Sequence, residues 1–152
     1  HIHPGGFEDT RILAKKARVS QESWVCGLGA PARYLAKEYG CRVTGIDITP
    51  YHYNEAVKRT KESGLDHLVN FKLANTLDMP FPDKTFDIVW SQDAWLHVPE
   101  KDRLLRECAR VIKRGGVIAF TDVLETHKTT PEEKEADVSQ LCRCQYFDPG
   151  RL

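Results

Sequence analysis

Trp24-Val25-Cys26-Gly27-Leu28-Gly29-Ala30-Pro31-Ala32 decides the fold class. A short apolar run passes into a glycine turn, and Pro31 suits the first turn of a helix that should end near Gly40. Strand, glycine turn and helix in that order form half of a crossover unit. The glycines let the backbone approach a ligand closely, and the helix start behind them favours negative charge.

Outward from this unit the same alternation continues. Phe7 to Ala17 reads as an amphipathic helix with Leu13, Ala14 and Ala17 at helical spacing. Arg42-Val43-Thr44-Gly45-Ile46 is a second strand closed by Asp47, after which Thr49 can cap a helix begun by Pro50 and stopped at Gly64. Val69 to Leu73 and Phe86 to Trp90 supply two more strands. Between Glu100 and Arg114, apolar Leu104, Leu105, Cys108, Val111 and Ile112 share one helical face, and Gly115-Gly116 break the helix before a strand at Val117 to Thr121. Alternating strands and helices predict an α/β, Rossmann-like three-layer sandwich with a mostly parallel central sheet. At most five strands are expected. Thr130-Pro131-Glu132-Glu133 is a good helix start, and no strand is read after it.

The 152 residues are 41% hydrophobic and 29% charged, which fits one domain with one core. Its expected parts are an N-terminal covering helix (1–17), a cofactor-binding core (18–123) and a partial substrate-side region (124–152). The 22 Lys and Arg balance 22 Asp and Glu, so nothing here favours a polyphosphate partner, and nucleic acid is not expected. No apolar run of about 20 residues is present to span a bilayer, and His1 to Gly6 lack the regions of a signal peptide. A cytoplasmic protein without a membrane partner is therefore expected. Cys26, Cys41, Cys108, Cys142 and Cys144 are odd in number and scattered, unlike a disulfide framework, and are read as reduced thiols. Cys142-x-Cys144 lacks a second pair or a nearby His, so no metal site is expected.

Gly27-x-Gly29-x-x-Ala32 satisfies the Ala-ended dinucleotide fingerprint, with Asp47 about 20 residues on to accept hydrogen bonds from a ribose. Asp47 would serve equally well as a helix-capping carboxylate. NAD and S-adenosylmethionine stay equally open on these residues alone. Four ordered segments extend the comparison: Val43 to Thr49 (VTGIDIT), Ala74 to Asp83 (ANTLDMPFPD), Phe86 to Ser91 (FDIVWS) and Val111 to Gly116 (VIKRGG). Together they resemble the class I S-adenosylmethionine-dependent methyltransferases over roughly residues 2 to 123. Ser91 to His97 (SQDAWLH) and Gly5 to Thr10 (GGFEDT) further resemble the sarcosine/dimethylglycine and phosphoethanolamine N-methyltransferases.

The resemblance implies an enzyme that binds S-adenosylmethionine and methylates a small-molecule acceptor, an amine in the narrower match. It sets Gly27 and Gly29 beside the methionine moiety, makes Asp47 the ribose ligand and lays Ile48 against the adenine. Asn75 takes the place of a family Asp that bonds the adenine amino group, and its amide oxygen can accept the same bond. Thr76 and Gln92 join these as cofactor contacts, and Ile2 and His3 match a segment that closes over the cofactor. Asp93 and His97, four apart beyond the fourth strand, are the candidates to orient and deprotonate an amine, and would face one side if that segment is helical. They would equally suit a short-helix cap and a polar niche. Trp90 and Trp95 are either core or an aromatic wall for a cationic substrate.

Two departures from the family pattern set further expectations. Trp24-Val25 run directly into Cys26-Gly27, about four residues short of the usual first strand, which predicts an acidic residue between Val25 and Cys26 in the complete polypeptide. The family's last helix and antiparallel strand pair are also missing from the pattern, so the fold looks incomplete at its first strand and its C-terminus. Acceptors at carbon, oxygen or arsenic, a binding protein with a degenerate pocket, and an NAD-dependent dehydrogenase are the competing readings.

Overall fold

Near-continuous burial along the central strands, covered on both faces, builds the molecule. The computed structural model describes residues 6–28, 31–123 and 142–147, with elements α1 (Gly6–Lys16), β1 (Trp24–Leu28), α2 (Ala32–Tyr39), β2 (Arg42–Asp47), α3 (Pro50–Glu62), β3 (Val69–Leu73), β4 (Phe86–Gln92), α4 (Lys101–Val111), β5 (Ile112–Val123) and β6 (Cys142–Phe147). Successive residues of β1 and β4 leave on opposite faces of the sheet, as the period of two requires. Val25, Ile88 and Trp90 pack with Leu13 and Ala14 of α1 and Leu35 of α2. Cys26 and Val89 pack with Leu104, Cys108 and Val111 of α4. The result is a three-layer, Rossmann-like α/β sandwich.

Strand order is β3-β2-β1-β4-β5-β6, with β1 parallel to both β2 and β4. Connections leave β1 in opposite directions, and open α/β sheets bind ligands at such a switch point, beyond the carboxyl ends of the strands. Gly40, at φ 66, closes α2 in the left-handed region and donates its N–H to Ala36 O.

Four differences from the sequence reading have physical causes. β1 is not a three-residue run: Gly27 and Leu28, read as turn, pair one-to-one with Gly45 and Ile46, so the strand reaches five residues without interruption. α4 ends at Val111, not Arg114. Thr85 N–H donates to Val111 O (2.8 Å) and Lys84 N–H to Arg110 O (2.9 Å), and Phe86 pairs with Ile112, so chain pairing claims residues that continue the helical pattern. Gly115-Gly116 accordingly do not stop a helix. They lie inside β5, where the register jumps from Phe86↔Ile112 to Ile88↔Val117. Gly115 has φ 78, and a Cβ on Gly116 would lie 2.7 Å from Asp87 O, so the bulge requires glycine. Finally, β6 adds a sixth strand where none was read. It runs antiparallel to β5, from Ile118↔Phe147 to Val123↔Cys142, and is defined by that pairing rather than by a strong apolar alternation of its own.

No helix among the described residues is long and apolar enough to cross a membrane, and no group of metal-ligating side chains occurs among them. Cys26, Cys41 and Cys108 are free and buried, and burial pushes the Cys41 thiol up to about 11 and Cys108 to about 12. Cys142 and Cys144 carry no described side chains.

Candidate active site at the carboxyl edge

The edge divides into a β2–β3 side and a β4–β5 side around the end of β1. Gly27 lies within β1, buried, and a Cβ there would meet only Val43 Cγ1 at 3.5 Å. The protein's own packing therefore does not demand glycine at 27, and what its small size keeps open is the approach from outside. Gly29, Ile2 and His3 lie outside the described residues.

On the β2–β3 side, Asp47 closes β2 and turns the chain into α3. Its Oδ1 accepts the Thr49 N–H at 2.8 Å, while Thr49, at the helix start, makes no capping bond of its own. The carboxylate thus closes an Asx turn ahead of the helix, one step before the position where a capping threonine would act. Its other oxygen stands 3.8 Å from His52 Nδ1. Ala74 N–H donates to Asp47 O (3.0 Å), which registers the end of β3 beside the end of β2. There Asn75 repeats the device, its Oδ1 accepting the Leu77 N–H at 2.9 Å. Thr76 is half-buried in that turn. Ile48, inside the Asp47 turn, is 65% exposed, an apolar side chain left in water at the carboxyl edge of the sheet.

On the β4–β5 side, polar groups are buried. Gln92 is only 5% exposed, and its Oε1 accepts both the Thr10 hydroxyl (3.0 Å) and the Trp90 indole N–H (3.2 Å), so it ties α1 to β4. Gln92 Nε2 and Ser91 Oγ are buried with no partner among the described residues. Asp93 follows with φ 52, its N–H donating to Thr121 O (2.9 Å) and its Oδ1 accepting the Thr121 hydroxyl (3.1 Å). A single 3₁₀ turn, Trp95–His97, comes next. Asp93 and His97 therefore do not share the face of an α-helix, because the left-handed residue at 93 breaks the path between them. Asp93 is half-buried against β5, whereas His97 is exposed. Trp90 is fully buried core, and Trp95 stacks on Phe120 with ring centroids 4.4 Å apart, so neither forms an open aromatic wall. Lys101 secures the turn by donating from Nζ to Trp95 O and standing 3.8 Å from the buried Asp122.

A carboxylate and an amide oxygen at the ends of adjacent strands, with an exposed isoleucine beside the carboxylate in sequence, suit an adenosine, with ribose hydroxyls donating to the carboxylate and the purine lying on the aliphatic surface. The unpartnered Gln92 and Ser91 groups suit a polar ligand end nearer β4. These residues fit S-adenosylmethionine. Residues 25–120 match the family described as methyltransferase domain. The chain belongs to that family.

Among methyltransferases, the sarcosine/dimethylglycine N-methyltransferase of Halorhodospira halochloris is 42% identical over 119 residues, 76% of this chain and 43% of the relative. The chloroplastic tocopherol O-methyltransferase of Arabidopsis thaliana is 34% identical over 127 residues, covering 80% and 36%. Phosphoethanolamine N-methyltransferase 2 of Haemonchus contortus, solved in complex with S-adenosyl-L-methionine, shares the fold at a TM-score of 0.78 and 24% identity, over 89% of this chain and 33% of that one. The chain spans less than half the length of each of these proteins.

Thr10, Thr121, Lys101 and Asp122 were missed as parts of the methyltransferase edge. Thr10 had a signal. It completes the buried stripe Thr10, Leu13, Ala14, Ala17 at i, i+3, i+4 and i+7, and a hydroxyl on such a stripe needs a buried partner. Thr121 and Asp122 act across long sequence separations, on Asp93 and Lys101, and left none; Lys101 bonds Trp95 six residues back, across a turn whose form the residues around it do not announce.

Proposed function

We propose that this chain is the cofactor-binding part of an enzyme that methylates a small-molecule amine from S-adenosylmethionine. The observation that carries the reading is the pair of side-chain oxygens at the ends of adjacent strands, Asp47 and Asn75, with Ile48 exposed in the Asp47 turn. Asp47 holds the ribose through Oδ2 and the free side of Oδ1. Asn75, with Thr76 beside it, meets the purine, and Gln92 donates from Nε2 to the methionine end near Gly27 and Gly29. Ile2 and His3 close over the cofactor. Bound there, the cofactor supplies an electrophilic methyl group on a sulfonium.

The acceptor side needs positioning and a proton acceptor. In-line transfer gains most from holding the nucleophile within about 3 to 3.5 Å of the methyl carbon. His97, whose imidazole is exposed at the edge, accepts the amine proton. Asp93, held on Thr121, supplies a negative charge at the end of β4 that favours a cationic amine arriving from water. The balanced net charge fits a small-molecule partner rather than a nucleic acid.

Calorimetry with S-adenosylmethionine and S-adenosylhomocysteine tests the cofactor reading, with NAD as the competing ligand. Binding of NAD in place of either sulfur compound would reject it. Methyl transfer to a panel of secondary and tertiary amines and of phenols tests the acceptor, and transfer to phenols alone would move the assignment to oxygen.

A further inference from the structure

The connection from β3 to β4 carries Asn75 and Thr76, yet little of it is held by strands. Ala74 is registered to β2, and Asn75 makes its turn through the Leu77 N–H and through its own carbonyl to the Asp78 N–H (3.1 Å). Four residues after Asn75 the main chain meets the last turn of α4. Arg110 donates from Nη2 to Met79 O (2.9 Å) and from Nη1 to Phe81 O (2.8 Å) and Asp83 Oδ1 (2.9 Å). Glu107 Oε2 accepts the Met79 N–H at 2.9 Å. Both backbone groups of Met79 are therefore answered by side chains, as a neighbouring strand would answer them. Glu107 and Arg110 also bond each other in a two-pronged pair, Nε to Oε1 and Nη2 to Oε2, each at 2.8 Å. Such a pair fixes both members in orientation, because the guanidinium fork is rigid. Met79 is buried and Phe81 stands edge-on to Phe86 at 4.9 Å, so the clamped chain is also packed in place.

We infer that Glu107 and Arg110 are positioning residues for adenosine recognition: α4 sets the turn that presents Asn75, from the far side of the sheet's connection and without touching the ligand. This rests on the cofactor reading above. The turn runs from Asn75 to Asp78 and the clamped Met79 follows directly, so a shift at Met79 has no slack in which to dissipate before it reaches the turn.

The test uses Arg110→Lys, which keeps the charge and removes the fork, and Glu107→Gln as a second variant. Two quantities are read in the full-length protein: amide hydrogen exchange at Leu77 and Met79 without ligand, and the Kd for S-adenosylhomocysteine. Expected are exchange about tenfold faster at these amides and a Kd raised about tenfold in both variants, the scale of one charge-assisted hydrogen bond. The rate at saturating S-adenosylmethionine should stay within about twofold, so the cofactor KM rises while kcat holds. Faster exchange with an unchanged Kd would overturn the inference and leave a purely structural clamp. Unchanged exchange would overturn it directly. Unmutated protein that binds no S-adenosylhomocysteine would instead sink the cofactor reading and the inference with it.

Discussion

The β2–β3 side and the β4–β5 side of the same sheet edge present their candidate residues by different means. At β2–β3 the register is one-to-one throughout, and both polar side chains, Asp47 and Asn75, hold their own turns by bonding an N–H two residues on. That geometry is local and forms wherever those few residues occur. At β4–β5 the register is broken by a bulge, Asp93 sits in the left-handed region, and Gln92 and Asp93 take hydrogen bonds from far away in sequence. Gln92 is met by Thr10, 82 residues distant, and Asp93 by Thr121, 28 residues distant. A site built of turns is preformed by its own few residues, while one held by long-range contacts takes its shape only when distant segments come together.

The sharpest break between the two sides is kinetic. His97→Ala should lower the methylation rate by roughly 10²- to 10⁴-fold, the range for loss of a general base, and leave cofactor affinity nearly unchanged. Asp93→Asn keeps the shape and removes the charge, so a loss of rate there would argue for electrostatic steering rather than packing. Steady-state rates and calorimetry on the same preparations decide it. If His97→Ala weakens folding and cofactor binding together while turning over normally per folded molecule, the histidine is structural.

The division explains what could be read in advance. Strand–turn–helix at Trp24 to Tyr39 and the β2 and β3 segments were legible because apolar period and turn residues are local properties, and Asp47 closes β2 as the end of its apolar run predicts. The end of α4 was not. Val111 and Ile112 continue its apolar face, and only pairing of Phe86 with Ile112, 26 residues apart, converts the second of them to strand. The expected common face for Asp93 and His97 failed for the same reason: Asp93 is bent by bonds to Thr121 that no window of sequence around it contains.

Gly116→Ala probes the bulge on which the β4–β5 side depends. The added methyl would meet Asp87 O at 2.7 Å and Lys113 O at 2.9 Å, both backbone atoms with little freedom to move. A loss of about 3 kcal/mol, the upper end of the usual overpacking range, is expected in urea denaturation. A loss below roughly 0.5 kcal/mol, no more than an ordinary surface change, would show that the bulge yields and that this half of the edge is softer than its contacts imply.

Asp47 tests the other half. Asp47→Ala removes both the ribose acceptor and the acceptor of the Thr49 N–H, and should weaken S-adenosylhomocysteine binding by about 1 to 3 kcal/mol. Asp47→Asn keeps an oxygen for Thr49 and loses only the charge, so it should recover part of that loss. Equal losses in the two variants would mean that charge toward the ribose matters and the turn does not, contrary to the comparison drawn from the hydrogen bonds.

The smallest effect concerns pH. The hydrogen bond from Arg110, helped by the Met79 N–H and opposed by burial, holds the Glu107 carboxyl below its ordinary value of 4.5. A carboxyl depressed in the folded state contributes stability that is fully present above the unfolded pKa and is lost as pH falls through the folded one. Stability of the unmutated protein should therefore decline below about pH 4.5 with a contribution from this group, and Glu107→Gln should flatten that part of the acid limb by about 1 kcal/mol, the upper scale for a partly exposed ion pair. Glu8 is the matched control, because Arg11 also lowers its carboxyl, but on an exposed face of α1 where solvent screens the pair. Glu8→Gln should leave the acid limb where it was. Urea denaturation between pH 3 and pH 7 reads both variants, and amide exchange at Met79 shows whether acid loosens the β3–β4 connection before the sheet. If Glu107→Gln and Glu8→Gln behave alike, the clamp adds nothing that an ordinary surface pair lacks, and the β2–β3 side owes its definition to its turns alone.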